Sequence, residues 1–230
     1  MLFEMLLNYW FPILLISLIS YLIGCINASI VVTRLFKVPC DIRNSGSGNA
    51  GFTNVLRTQG LKMAVFTFII DFLKGMIAVG ISELLFSLFS VGLYESPVLL
   101  LIRYLSCFMC VMGHIYPCFF GFKGGKGILT AWACMLLVDW RIFILLISVF
   151  LLVLCLFKIV SLSSVLAAVS YFIGTFLITY FTDYKLSGNA YCYIVPTIFS
   201  CLVSMVVIVK HKSNIERIIS GKEKKIYIHR

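Results

Sequence analysis

Long apolar stretches divided by short polar ones dominate the chain. Apolar runs between charges recur at 11–33, 75–102, 142–157, 159–182 and 191–209, the second broken by Glu83 and Glu95. Each is a candidate membrane-spanning helix, and five such runs exclude a lone signal peptide. The segment from Gly127 to Phe157 needs more argument, because its 31 residues would make a helix of about 46 Å against a hydrocarbon core of about 30 Å. One helix would also put Asp139, Trp140 and Arg141 deep in lipid. A turn at "VDWRI", with the tryptophan at the interface, costs far less. Splitting there predicts seven spans, approximately 10–33, 61–91, 97–118, 127–139, 142–158, 160–182 and 190–210. The fourth is short for a full crossing, so it is expected to be tilted, re-entrant or set where the bilayer is thin.

Charge placement orients the seven. The loop 34–62, the loop of Lys123 and Lys126, Lys158, and the tail from Lys210 all fall on one side, with 15 of the 19 Lys and Arg residues. Arg141 and Lys185 fall opposite. The positive-inside bias therefore predicts an outside amino terminus and a cytoplasmic carboxyl terminus. Merging the two short segments would move the seven-charge tail across the membrane.

Composition supports this picture and narrows the function. With 61% hydrophobic and 12% charged residues and a mean hydropathy of +1.06, the chain is too apolar for an ordinary soluble domain. The net charge of +10 lies between spans and in the tail, where membrane orientation explains it without nucleic acid. Nine cysteines are scattered through apolar segments. Cys107 and Cys110 form a C-x-x-C with no second ligand pair, so they read as small buried hydrophobes, and no metal or cofactor is expected. The expected architecture is an all-α polytopic integral membrane protein. It is one domain over 1–230, with three cytoplasmic motif loops at about 34–62, 113–130 and 210–225.

Those loops carry the chemistry. The first contains "SGSGNAGFTNVLR", Ser45 to Arg57, in which two asparagines, a threonine and an arginine hold fixed places among glycines. A flexible linker has no use for them. The second contains "FKGGKG", where Lys123 and Lys126 sit on a nearly bare backbone whose amides could turn toward an anion, just before a helix whose amino-terminal dipole adds to the field. It is not a Walker A loop: three residues separate Gly121 from Gly125, and Gly127 follows Lys126. A phosphate group is implied, and a nucleotide is not. The third, "KHKSNIERIISGKEKK", places His211 and Asn214 on one helical face, with Ile215, Ile218 and Ile219 forming a stripe able to lie on the membrane. Singly, each loop reads as turns, caps or a basic anchor. Together they supply phosphate contacts from an arginine, lysines and a histidine beside an amide. One substrate would enter from the bilayer, and a small anionic one from the cytoplasm.

Three ordered motifs over nearly the whole chain resemble the bacterial acyl-phosphate:glycerol-3-phosphate acyltransferases, the PlsY family. They are "GSGNAGFTNVLR" (Gly46–Arg57), "GHIYPCFFGFKGGKG" (Gly113–Gly127) and "HKSNIERIISGKE" (His211–Glu223). The departures are Phe52, Tyr116, "ILT" after the glycines and Lys212, none of which removes a polar group. The resemblance implies transfer of a fatty acyl group from acyl phosphate to the 1-hydroxyl of sn-glycerol 3-phosphate, giving lysophosphatidic acid and phosphate. This is the first step of phospholipid biosynthesis, in the bacterial inner membrane with the site facing the cytoplasm. Contact with the enzyme that makes acyl phosphate is a further expectation.

Under that resemblance Ser47, Arg57, Lys126 and His211 form the catalytic set. Asn49, Asn54, Lys123, Gly124, Gly125, Gly127 and Asn214 form the substrate-binding set, with Asn49, Thr53 and Asn54 acting more as braces of the loop than as contacts. Asp71 and Lys74, three apart within a span, are expected to be a structural ion pair supporting the site, and Glu223 to fasten the tail to a basic neighbour. The rival class is a small transporter or flippase for a phosphate-bearing solute, which would show internal repeats and midplane polar groups. The chain has no clear repeat. A thioester donor is disfavoured as well: many thioester-using acyltransferases carry His-x4-Asp, whereas here Phe119 follows His114 and Glu216 follows His211 at that place. In a cysteine-free background, Asn44→Cys, Phe122→Cys and Ser220→Cys should all be labelled from the cytoplasmic side and Leu186→Cys from outside. Opposite labelling at 122 and 220 would contradict the seven-span arrangement.

Overall fold

A computed structural model of the chain describes residues 7–89 and 97–225, which are helices joined by loops. The chain divides into two compact units at the Val138–Asp139 boundary. Among the described residues, five helices are long and apolar enough to cross a membrane, and a bent pair at the start makes a sixth candidate. The protein is an all-helical, multi-pass integral membrane protein.

The first unit contains α1 (Trp10–Gly24), α2 (Ala28–Leu35), α3 (Phe52–Gln59), α4 (Leu61–Phe89), α5 (Pro97–Ile115) and α6 (Ile128–Val138). The predicted span 10–33 is not one helix. It bends by 43° between α1 and α2, because the Asn27 side chain accepts from the Ile30 amide (3.1 Å) and starts a new helix there. The predicted span 61–91 is α4 as far as Phe89; its last two residues and Glu95 lie outside the described residues. In α6, 11 residues rise about 16 Å, roughly half a hydrocarbon core.

Small residues let α1 and α5 meet backbone to backbone. A Cβ on Gly24 would lie 2.2 Å from the Cys110 carbonyl oxygen, and one on Gly113 would lie 2.1 Å from that of Tyr21. At the same seam Ser20 and Ser106 share a 2.8 Å hydrogen bond, and Ser106 also bonds to the Ala78 carbonyl of α4. Such close approach drives helix association where lipid is as apolar as leucine. Helix α4 packs against α1, α2, α3, α5 and α6, so it is the unit's central post.

The second unit contains α7 (Trp140–Phe157), α8 (Val160–Ile178), α9 (Tyr191–Lys210) and α10 (Lys212–Ile219), with a π-helical turn, Thr179–Tyr184, extending α8. The break expected at "VDWRI" falls at Asp139, whose carboxylate caps α7 through the Arg141 amide (3.0 Å). Arg141 is then clamped by Asp139 and by both oxygens of Asp183, each at 2.8 Å. Trp140 is exposed. Helix α8 packs on both α7 and α9, and Ser204 of α9 donates to the Ala168 carbonyl of α8 at 2.7 Å.

Candidate active site

A buried ion pair lies beneath the first two motif loops. Asp71 and Lys74 of α4 are 1% and 3% exposed, and Lys74 Nζ lies 2.6 Å from Asp71 Oδ1. Two isolated charges would be prohibitively costly at this depth, so the remaining contacts decide whether the pair is tolerable. Lys74 Nζ is also 2.8 Å from the Ile26 carbonyl oxygen and 2.8 Å from His114 Nδ1. The ammonium thus has two hydrogen-bond acceptors and, in Asp71, a neutralising charge beside it. Ile26 sits in the bend between α1 and α2, where the helical ladder is interrupted, so the lysine replaces a missing main-chain partner. An ammonium can only donate, which assigns the acceptor role to His114 Nδ1 and the proton to Nε2.

The bend and His114 carry this buried centre to the loops. Asn27 Nδ2 donates to the Ala50 carbonyl (3.3 Å) of the first loop. The edge of the His114 ring lies against the second loop, so that a Cβ on Gly125 would be 2.2 Å from His114 Nε2 and 2.6 Å from the Ala50 oxygen. A side chain at 125 would therefore part the two loops. A second tether is Arg43, which donates to the Phe120 carbonyl (2.8 Å) while Asp41 holds its guanidinium through two oxygens. Those hydrogen bonds from Arg43 draw the Asp41 carboxyl down to about 2, so the clamp stays charged at any physiological pH.

Within the first loop, Asn54 is fully engaged. Its Oδ1 accepts from the Ser47 amide (2.9 Å), and its Nδ2 donates to the Ile42 and Ser45 carbonyls (3.1 and 2.9 Å). Gly46 adopts φ +60 against that carboxamide, a conformation and a contact that a side chain would obstruct. Asn49 is half-buried, with its Nδ2 beside Gly51. Ser47 and Arg57 point the other way. Both are exposed, and among the described residues neither side chain has a hydrogen-bond partner. The loop's polar residues thus divide into an inward brace and an outward pair.

The second loop departs from expectation at two glycines. The amides of Gly124 and Gly125 donate to the Ile115 and His114 carbonyls (3.2 and 3.1 Å), so they close the end of α5 and do not form part of an anion nest. These glycines are needed for close approach, since a Cβ on Gly124 would lie 2.0 Å from the His114 oxygen. The loop's positive groups are the exposed Lys123, the half-buried Lys126 and the amino terminus of α6, which begins directly after Gly127 at φ +81.

In the second unit the tail motif folds on itself. Helix α10 ends in a Schellman turn: Gly221 at φ +69 donates to Ile218, and Lys222 donates to Arg217 (2.7 Å). That turn returns Glu223 to the helix, where its carboxylate accepts from Ser161 (2.7 Å), Asn214 (2.7 Å) and Arg217 (2.6 Å). Burial pushes the Glu223 carboxyl up, but these donors together outweigh it and hold it below the ordinary range. The buried Asn214 therefore gives one amide hydrogen to Glu223. His211, also buried, has Nδ1 2.8 Å from the Val207 carbonyl, an acceptor, which places a proton on Nδ1.

The sequence alone assigns no role to Asn27, Arg43, His114, Ser161 or Arg217. Each works through a partner remote in sequence or on the next turn. For Asn27 and His114 a local signal exists: a strongly polar side chain inside an otherwise apolar run.

The comparisons with known proteins agree with this geometry. Residues 14–221 match the family described as Glycerol-3-phosphate acyltransferase. A curated relative of that name from Francisella tularensis subsp. mediasiatica (strain FSC147) is 35% identical over 215 residues, covering 92% of this chain and 91% of the relative. Two solved structures of PlsY (YgiH), an integral membrane glycerol 3-phosphate acyltransferase, are similar throughout. Its glycerol 3-phosphate form aligns with a TM-score of 0.76 at 33% identity, covering 94% of this chain and 96% of that one. Its lysophosphatidic acid form aligns at 0.74 and 32%, covering 94% and 95%. With its family's motif residues braced in this way, and matched over almost its full length, the chain belongs to the glycerol-3-phosphate acyltransferase family, as a PlsY-type integral membrane protein.

Proposed function

We propose that this protein transfers a fatty acyl group from acyl phosphate to the 1-hydroxyl of glycerol 3-phosphate, releasing lysophosphatidic acid and phosphate at the cytoplasmic face of the inner membrane. The observation that carries the reading is the division of polar groups in the first two loops. Asn54, Arg43 and the Gly124 and Gly125 amides are engaged internally, while Ser47, Arg57 and Lys123 are exposed on a braced frame. A frame that withholds cations and a hydroxyl from its own packing is suited to bind phosphate groups. The related PlsY structures in glycerol 3-phosphate and lysophosphatidic acid forms support an acceptor and a product of the same kinds here.

In this reaction the glycerol hydroxyl oxygen bonds to the acyl carbonyl carbon, and the bond from that carbon to the phosphate oxygen breaks. The departing phosphate takes the hydroxyl proton on one of its own oxygens, so no protein base is required. Arg57, with its planar fork, and Ser47 position one phosphate. Lys123, Lys126 and the positive end of α6 neutralise the charge growing on the leaving group. His211 orients glycerol 3-phosphate, and Asn214 assists while keeping the tail folded through Glu223. Asp71, Lys74 and Glu223 hold the frame.

Two outcomes test the reading. Arg57→Lys keeps the charge but loses the fork, and kcat/KM should fall about tenfold or more, equivalent to at least about 1.4 kcal/mol of barrier. A folded, monodisperse variant with wild-type kcat/KM would remove the bidentate role. In a side-by-side assay of purified protein in lipid, palmitoyl phosphate should support turnover and palmitoyl-CoA should not. Equal rates with the thioester would overturn the donor assignment.

A further inference from the structure

Two thiols meet where the bend between α1 and α2 touches the start of the second loop. Cys118 Sγ lies 3.6 Å from Cys25 Sγ, within hydrogen-bonding reach. Cys25 is fully buried just after the last residue of α1, and it immediately precedes Ile26, the carbonyl partner of Lys74. Cys118 is partly exposed and opens the short 3-10 turn Cys118–Phe120, after Pro117 and five residues before Lys123. A disulfide requires about 2.05 Å between sulfurs, so the pair needs about 1.5 Å of approach, from a short turn on one side and a helix break on the other. Cys107, Cys110 and Cys134 also neighbour one another, but all three are buried and none offers an oxidant a partly exposed thiol as Cys118 does. Cys110 and Cys134 donate to the Lys74 and Gly75 carbonyls inside the helix packing, at 3.9 and 3.4 Å.

We propose that Cys25 and Cys118 form a reversible oxidation site for a peroxide-class oxidant, and that the resulting disulfide slows acyl transfer by pulling the second loop toward the bend and out of its braced position. The exposed partner reacts first. Cys118 sulfur attacks one peroxide oxygen, the O–O bond breaks, and water departs to leave a sulfenic acid. Cys25 sulfur then attacks the Cys118 sulfur, the S–O bond breaks, and a second water leaves with the Cys25 proton. In balance, two thiols and one hydrogen peroxide give one disulfide and two waters. Thiol reductants reverse the bond by exchange, as expected for a transient disulfide in a reducing compartment. Closing the sulfurs by about 1.5 Å would draw the segment leading to Lys123 and Lys126 toward the residue beside Ile26, displacing groups that the braced frame holds in position. The slowing of turnover rests on the acyl-transfer reading; formation of the bond does not.

The test uses the reduced full-length protein in lipid nanodiscs, exposed to hydrogen peroxide, alkylated and mapped by mass spectrometry, with acyl phosphate turnover measured in parallel. A linked Cys25–Cys118 peptide should form, kcat should fall several-fold, and dithiothreitol should restore it. Cys118→Ser and Cys25→Ser should each form no such peptide and keep their activity in peroxide. The proposal is overturned if the linked peptide is absent while the exposed Cys40 becomes oxidised, if complete linkage leaves kcat unchanged, or if Cys118→Ser is inhibited like the parent. Untreated protein that fails to use acyl phosphate would overturn the reaction assignment instead, and the linked peptide would still decide whether the thiols pair.

Discussion

A lysine ammonium inside an apolar bundle is tolerable only when its charge is neutralised and its hydrogens find acceptors, and the neighbours that do this for Lys74 are the parts from which the first unit's loops are hung. Asp71 supplies the neutralising charge, the Ile26 carbonyl comes from a helix that has just broken, and His114 comes from the last turn of α5. None of the three is expendable, since losing one leaves a buried polar group unsatisfied. The bend between α1 and α2 and the end of α5 are therefore fixed together. Through Asn27 and Gly125, so are the two loops that begin there.

The tail follows the same rule with opposite charge. Glu223 returns over a Schellman turn to collect donors from Ser161, Asn214 and Arg217, and a flexible basic terminus becomes a closed helical cap. In both units an ionised residue consumes the neighbouring polar groups. Within the motif segments Ser45–Arg57 and Phe122–Gly127, Ser47, Arg57 and Lys123 are then left outward. Their placement is what acyl transfer between two phosphate-bearing molecules would require, because catalysis by electrostatic positioning depends on groups that need not rearrange when charge develops.

Much of this is legible in the sequence, and the rest is not for identifiable reasons. Helix lengths follow from apolar runs and bilayer thickness, and the polar trio Asp139, Trp140 and Arg141 then marks where the over-long run breaks. The motif loops stand out against their apolar surroundings, and Asp71 and Lys74 are close enough in sequence to pair by helical spacing. The bend after Gly24 is hidden because the run 11–33 carries no charge, and a single Asn27 is the only mark of a new helix start. The glycines of "FKGGKG" suggest amides freed for an anion, whereas at 124 and 125 the requirement is steric: the amides close α5 and the absent side chains admit His114 and Ala50. Such a distinction depends on residues ten and seventy-five positions away, and no local pattern contains it.

One buried charge, Lys74, organises both loops. Hydrogen–deuterium exchange of Lys74→Met compared with the parent protein tests it most directly. The methionine keeps the bulk of the stem and removes every hydrogen bond of the ammonium. The account predicts that the first loop, Ser45–Arg57, and the second, Phe122–Gly127, lose protection together while α7, α8 and α9 keep theirs. Unchanged exchange in the two loops, or loss of protection in only one of them, would contradict it.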